Sequence, residues 1–142
     1  MLGVMRRLIA AYVVMLSVLA GSACAEEMKI IVAVKGTNLL ATLEDNAASR
    51  ALYAQMPFTV KMRDLYDREM CFNLPAKLPE TKQVATNYKV GDIIYWPQRR
   101  SLAILYKQNG ERFRRQHLGH IDSGVEVFKT TGDTEVTFAP AE

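Results

Sequence analysis

From residue 28 onward the chain alternates apolar and polar positions in short runs, the period-two signature of β-strands. Ile30, Val32 and Val34 interleave with Ile31 and Ala33, so both faces of this first segment are apolar, which suits a strand covered on both sides. Lys35-Gly36-Thr37-Asn38 reads as a turn from which Leu39 to Leu43 returns, and together they predict a β-hairpin. Phe58, Val60 and Met62 alternate with Thr59 and Lys61 as a half-buried strand, and Glu69 to Leu74 sets Met70, Phe72 and Leu74 on one side. Further strands are predicted at Asp92 to Trp96, Ser101 to Tyr106, His117 to Ile121, Val125 to Phe128 and Thr134 to Phe138. The period changes once. Ala48, Leu52 and Met56 recur every four residues behind an N-cap at Asp45-Asn46, and Pro57 ends the helix predicted over Ala47 to Gln55. A helix this short is stable only when docked on a sheet. Pro75 to Tyr88 holds two prolines and no period, and is expected to be a loop without an element of its own, of a length that usually carries function.

Many short strands in one small domain predict a mainly β fold, a small closed barrel with one short docked α-helix, because closure removes exposed strand edges. The last strand would pair with the first to close it.

The first 25 residues follow a different rule. Arg6-Arg7 precede an apolar run from Leu8 to Leu19 broken only by Ser17, and Ala23-Cys24-Ala25 is a small-residue cleavage site. This is the grammar of a secretory signal peptide, too short to span a bilayer, with cleavage expected after Ala25. The domain proper is then 26–142, exported to a periplasmic or extracellular space. Cys24 admits a second reading as a lipidated first residue, but Gly21 stands where a lipobox has Leu, so the lipoprotein route is the lesser one.

Composition changes the picture in two ways. The whole chain has 18 Lys and Arg against 15 Asp and Glu, and loss of Arg6 and Arg7 would reduce its formal charge from +3 to +1. Neither that charge nor the compartment points to nucleic acid. Only Cys71 would remain, so no internal disulfide can form and packing must hold the fold. Set between Met70 and Phe72, its thiol is expected to be buried and inert.

The order of several short motifs resembles the small bacterial cyclophilin-like proteins. They are Thr42-Leu43-Glu44-Asp45-Asn46, Pro57, Leu74-Pro75, Lys89-Val90-Gly91-Asp92-Ile93 and Leu118-Gly119-His120-Ile121-Asp122-Ser123-Gly124. The resemblance covers nearly all of residues 28–138 and implies a cyclophilin-like barrel of unsettled function. Cyclophilins that isomerise X-Pro bonds present an Arg to the prolyl nitrogen from a Phe-His-Arg segment, with a Gln nearby. Aligned on Pro75, this chain has Cys71 at the His position and Phe72 at the Arg position, and Leu102 stands for the Gln. The usual donor is missing, and Arg63 or Arg68 are the alternatives.

The expectation is therefore a non-catalytic binding module for an extended peptide or small apolar ligand, with Phe72, Tyr95, Trp96 and Leu102 as the candidate pocket. In the plainer alternative, Ile93 and Tyr95 face one way, Ile94 and Trp96 the other, and all pack. Two rivals remain: a prolyl isomerase with a non-standard site, and a partner-docking domain using Arg112, Phe113, Arg114 and Arg115. That cluster and Gln98-Arg99-Arg100 lie at opposite ends of a strand ~20 Å long and read first as solvated surface, though Phe113 keeps an acidic partner open. His117 and His120, three apart in a strand, are expected on opposite faces, which argues against a shared metal. No zinc spacing, phosphate loop or nucleophile elbow is present, so no cofactor or metal is expected.

Overall fold

The computed structural model describes residues 27–142. The expected leader and Cys24 lie outside the described residues.

Among the described residues nine strands form one antiparallel sheet: β1 (Met28–Val34), β2 (Thr37–Leu43), β3 (Phe58–Leu65), β4 (Glu69–Asn73), β5 (Gln83–Val84), β6 (Asp92–Trp96), β7 (Ser101–Leu105), β8 (Arg115–Ile121) and β9 (Thr134–Pro140). Their order is β2-β1-β9-β3-β4-β7-β6-β8, and β2 also pairs with β8, so eight strands close a ring. The two-residue β5 hangs on the outside edge of β8. As expected, the last strand pairs with the first, with Val32 opposite Phe138. Closure itself falls on the β2–β8 seam, which has only three residue pairs, Ala41–Ile121, Thr42–His120 and Leu43–Gly119.

The period-two pattern decides what fills the ring. Ile30, Val32, Val34, Met62, Met70, Ile93, Leu102, Ile104, Val136 and Phe138 all point inward and are fully buried. Helix α1 (Ala47–Ala54) begins at Asn46, whose side chain accepts from the Ser49 N–H at 2.8 Å, and it buries Ala48 and Leu52 against the core. Ser49 Oγ donates to the Leu118 carbonyl at 2.8 Å, and Glu44 N–H donates to the same oxygen at 2.8 Å. These bonds fasten the helix start to β8 beside the short seam.

Two expectations need correction. Val125 to Phe128 is a 3-10 turn running to Lys129, in which Val125 and Phe128, three apart, are the buried pair. The 75–88 segment is not wholly a loop, because Gln83 and Val84 pair with Gln116 and Arg115. No helix among the described residues is long and apolar enough to cross a membrane.

Candidate functional site

The outer surface of β3, β4, β7 and β6 forms a groove of about 550 Å³. Strand register builds it row by row. Arg63, Cys71, Ala103 and Ile94 lie opposite one another across the four strands, and Asn73, Ser101 and Trp96 form the next row. Small side chains at Cys71, Ser101 and Ala103 keep the floor low. Trp96 and Arg99 wall one end, with Arg63 beside them, while Tyr66, Arg68, Glu111 and Phe113 wall the other.

The two ends differ electrostatically. Arg68 is buried and paired, with Nη1 2.5 Å from Glu111 and Nη2 3.3 Å from Glu69, and its guanidinium lies 4.9 Å from the Phe113 ring centre. Burial pushes the Glu69 carboxyl above its ordinary range against the opposing pull of Arg68. At the Trp96 end, Arg63 donates to Asn73 Oδ1 at 2.6 Å, and neither it nor Arg99 has a carboxylate partner among the described residues. Uncompensated positive charge therefore sits beside the chain's one tryptophan.

A second polar site lies at the β6–β8 pairing near the seam. The ladder shifts there: Ile93 faces Gly119 but Ile94 faces His117, so Leu118 is the extra residue of a β-bulge. The bulge brings His117 and His120 to the same carboxylate. His120 Nδ1 lies 2.9 Å from Asp92 Oδ1, His117 Nε2 lies 3.4 Å from it, and His117 Nδ1 is 2.8 Å from Glu44 without an aligned N–H. The expectation that the two histidines point apart is thus wrong, because a bulge adds one residue to the count. Asp92 Oδ2 accepts the Lys89 N–H at 2.9 Å. Burial alone would raise Asp92, but hydrogen bonds from His117, the Lys89 backbone and His120 outweigh it and hold its pKa at about 2. The hydrogen bond to Asp92 raises His117 above the ordinary imidazole value, against burial and with help from Glu44. Asp92 Oδ1 lies within reach of both rings, and no group of three His, Cys, Asp or Glu among the described residues is set to hold a metal ion.

A model of the family described as cyclophilin-like matches residues 32–139. The protein belongs to the cyclophilin-like family. Its barrel is also similar to the solution structure of a hypothetical protein from Archaeoglobus fulgidus, with a TM-score of 0.62 at 15% identity, covering 81% of this chain and 95% of that one. That likeness concerns the fold alone. No curated protein matches the chain.

Within this cyclophilin-like barrel the four residues expected to form one pocket divide. Trp96 is 36% exposed and lines the groove. Phe72, Tyr95 and Leu102 turn inward to the core, where the Tyr95 hydroxyl accepts from Leu78 N–H at 3.2 Å. Phe72 and Leu102 face each other across β4 and β7, so the positions that would carry an isomerase's Arg and Gln lie on the inner face of this sheet. Arg63 and Arg68 line the groove. The second candidate set divides as well. Arg112 and Arg114 are exposed and Phe113 is partly buried, but Arg115 is 2% exposed and turned into the protein. It is not available as a solvated docking charge. The two basic clusters do lie at opposite ends, but Arg99 and Phe113 end one shared groove.

Cys71 is 4% exposed, and burial lifts its thiol above the ordinary value. Ellman's reagent at pH 8 should therefore react with the folded domain roughly 100-fold more slowly than with the urea-unfolded chain. Equal rates would show the groove floor to be open to solvent.

Proposed function

We propose that this protein is an exported binding module whose outer groove holds an extended peptide segment carrying an apolar side chain next to an acidic one. The observation that carries the reading is the pairing of Trp96 with the unneutralised Arg63 and Arg99 above a floor of small residues. An aromatic wall and a free guanidinium are the side chains that most often dominate binding energy. The groove's volume suits a few residues of chain. Export rests on the sequence of residues 1–25.

The probe is a library of fluorescein-labelled octapeptides with one apolar position flanked by Asp or Glu, read by anisotropy on residues 26–142. A hit should lose about 30-fold in affinity in Trp96→Ala and about tenfold in Arg63→Gln. If no peptide binds, or if both variants bind like the parent, the reading fails. The same peptides with proline at the apolar position test a second reading, favoured by the place of Arg63 over Cys71. Accelerated cis–trans exchange in NMR, lost in Arg63→Gln, would mark an isomerase with Arg63 as donor.

A further inference from the structure

The peptide groove leaves unexplained a buried cation on the other side of β6. Arg115 starts β8 under the 81–89 segment and lines a separate hollow of about 500 Å³. Only 2% of the residue is exposed, yet no carboxylate among the described residues lies within ion-pair distance of it. Its Nη1 donates to the carbonyls of Thr86 at 2.7 Å and Phe113 at 3.1 Å, and its Nε has no acceptor. The Phe113 ring centre lies 5.4 Å from the guanidinium carbon. Two carbonyls and a ring position the group without neutralising it. Burial lowers its pKa, against smaller through-space pulls from Asp92 and Tyr88 in the other direction.

An unpaired guanidinium taken out of water costs several kcal/mol. Its planar fork suits a carboxylate or phosphate, whose charge would offset that cost. The rest of the hollow agrees. Lys82 and Lys89 stand on its rim with His117 and His120. Of its two acids, Asp92 is engaged through both oxygens by the histidines and the Lys89 N–H, which leaves Glu44 as the one opposing charge.

We propose that this hollow binds a small oxyanion, a carboxylate or phosphate group, with Arg115 as its principal partner and Lys82 and Lys89 as rim charges. The site is distinct from the peptide groove and does not depend on it. The 75–88 segment, whose length called for a role, supplies its outer wall.

The test titrates residues 26–142 with inorganic phosphate and, separately, acetate at constant ionic strength set by chloride. The Arg115 Nε–H and the His117 and His120 ring resonances are followed by NMR. Saturable shifts with phosphate, acetate or both would support the site, and the pattern would tell which oxyanion it prefers. Arg115→Lys should weaken binding roughly tenfold, because the fork is lost while the charge is kept. If that variant does not fold, Lys82→Glu on the rim should weaken it severalfold. Trp96 emission should not change. Shifts that grow linearly without saturation, that chloride reproduces, or that survive in the variant tested would overturn the proposal.

Discussion

Replacing Gly119 with alanine should lower stability by about 3 kcal/mol and the melting temperature by roughly 10 °C. A Cβ at this position would stand 2.4 Å from the Thr42 carbonyl oxygen and 3.0 Å from Leu43 Cα. Both are backbone atoms of the facing strand and cannot turn aside. Gly119 pairs with Leu43 at the seam where β2 and β8 close the ring over three residue pairs. There is no reserve of neighbouring pairs to take up a shift, so the strain falls on closure. Gly36→Asn is the control. A Cβ there meets nothing, and Asn tolerates the left-handed turn at φ 76°. Circular dichroism melts of the two variants give the answer, and a Gly119→Ala protein melting with the parent would mean the seam is looser than its geometry indicates.

Asp92→Leu should cost about 3–5 kcal/mol, the usual penalty for removing one partner from a buried charge cluster. It strands two imidazoles and the Lys89 N–H together. The same cluster should give the parent a bell-shaped stability profile. Asp92 falls from 3.8 to about 2 on folding, so its contribution, about 2 kcal/mol by linkage, is complete above pH 3.8 and drains away as pH falls toward 2. His117 moves the other way. Its pKa is raised, so its contribution is complete below the unfolded value of 6.5 and is lost as pH rises through the higher folded value. Urea midpoints should therefore peak between about pH 4 and 6.5 and decline on both sides. Asp92→Asn should flatten both flanks, since it removes the carboxylate that perturbs His117 most. A parent protein with equal midpoints at pH 5.5 and 8.5 would rule out the paired-histidine account.

The barrel was legible where local chemistry and long-range packing agree. The hairpin at Lys35-Gly36, the Asn46 cap, the helix and the inward set from Ile30 to Phe138 all follow from period and turn residues. Cys71 is buried as its apolar neighbours suggest, although it faces the outer groove and not the interior core. The misreadings fall where packing decides and residue type does not. Val125, Val127 and Phe128 satisfy a strand pattern and a tight helical turn equally well, and only packing chooses between them. The bulge at Leu118 leaves no mark in the residue types, yet it reverses the facing of everything before it relative to a plain count. Phe72 and Leu102 enter the candidate pocket only because they stand at an isomerase's Arg and Gln positions, and both turn inward with Tyr95, while the alternation that sets Tyr95 opposite Trp96 is itself legible in the sequence. Arg115 lay within a run of basic residues that reads as surface. Its partner β5, only two residues long, is too short to signal that this arginine is covered.

The strand order has a practical corollary. In the eight-membered ring β1 stands four places from β7, so the two are diametrically opposed. Ala141 N–H bonds to the Lys29 carbonyl at 2.8 Å, which brings the carboxyl end of the chain to the same side as β1. Anything joined ahead of Glu27, be it a tag, a fusion partner or a resin linker, starts on the side of the barrel away from Ser101 and Ala103. A protein immobilised by either terminus would present its groove outward, like a cup held by its base, and a display format can be built on it without engineering new attachment points.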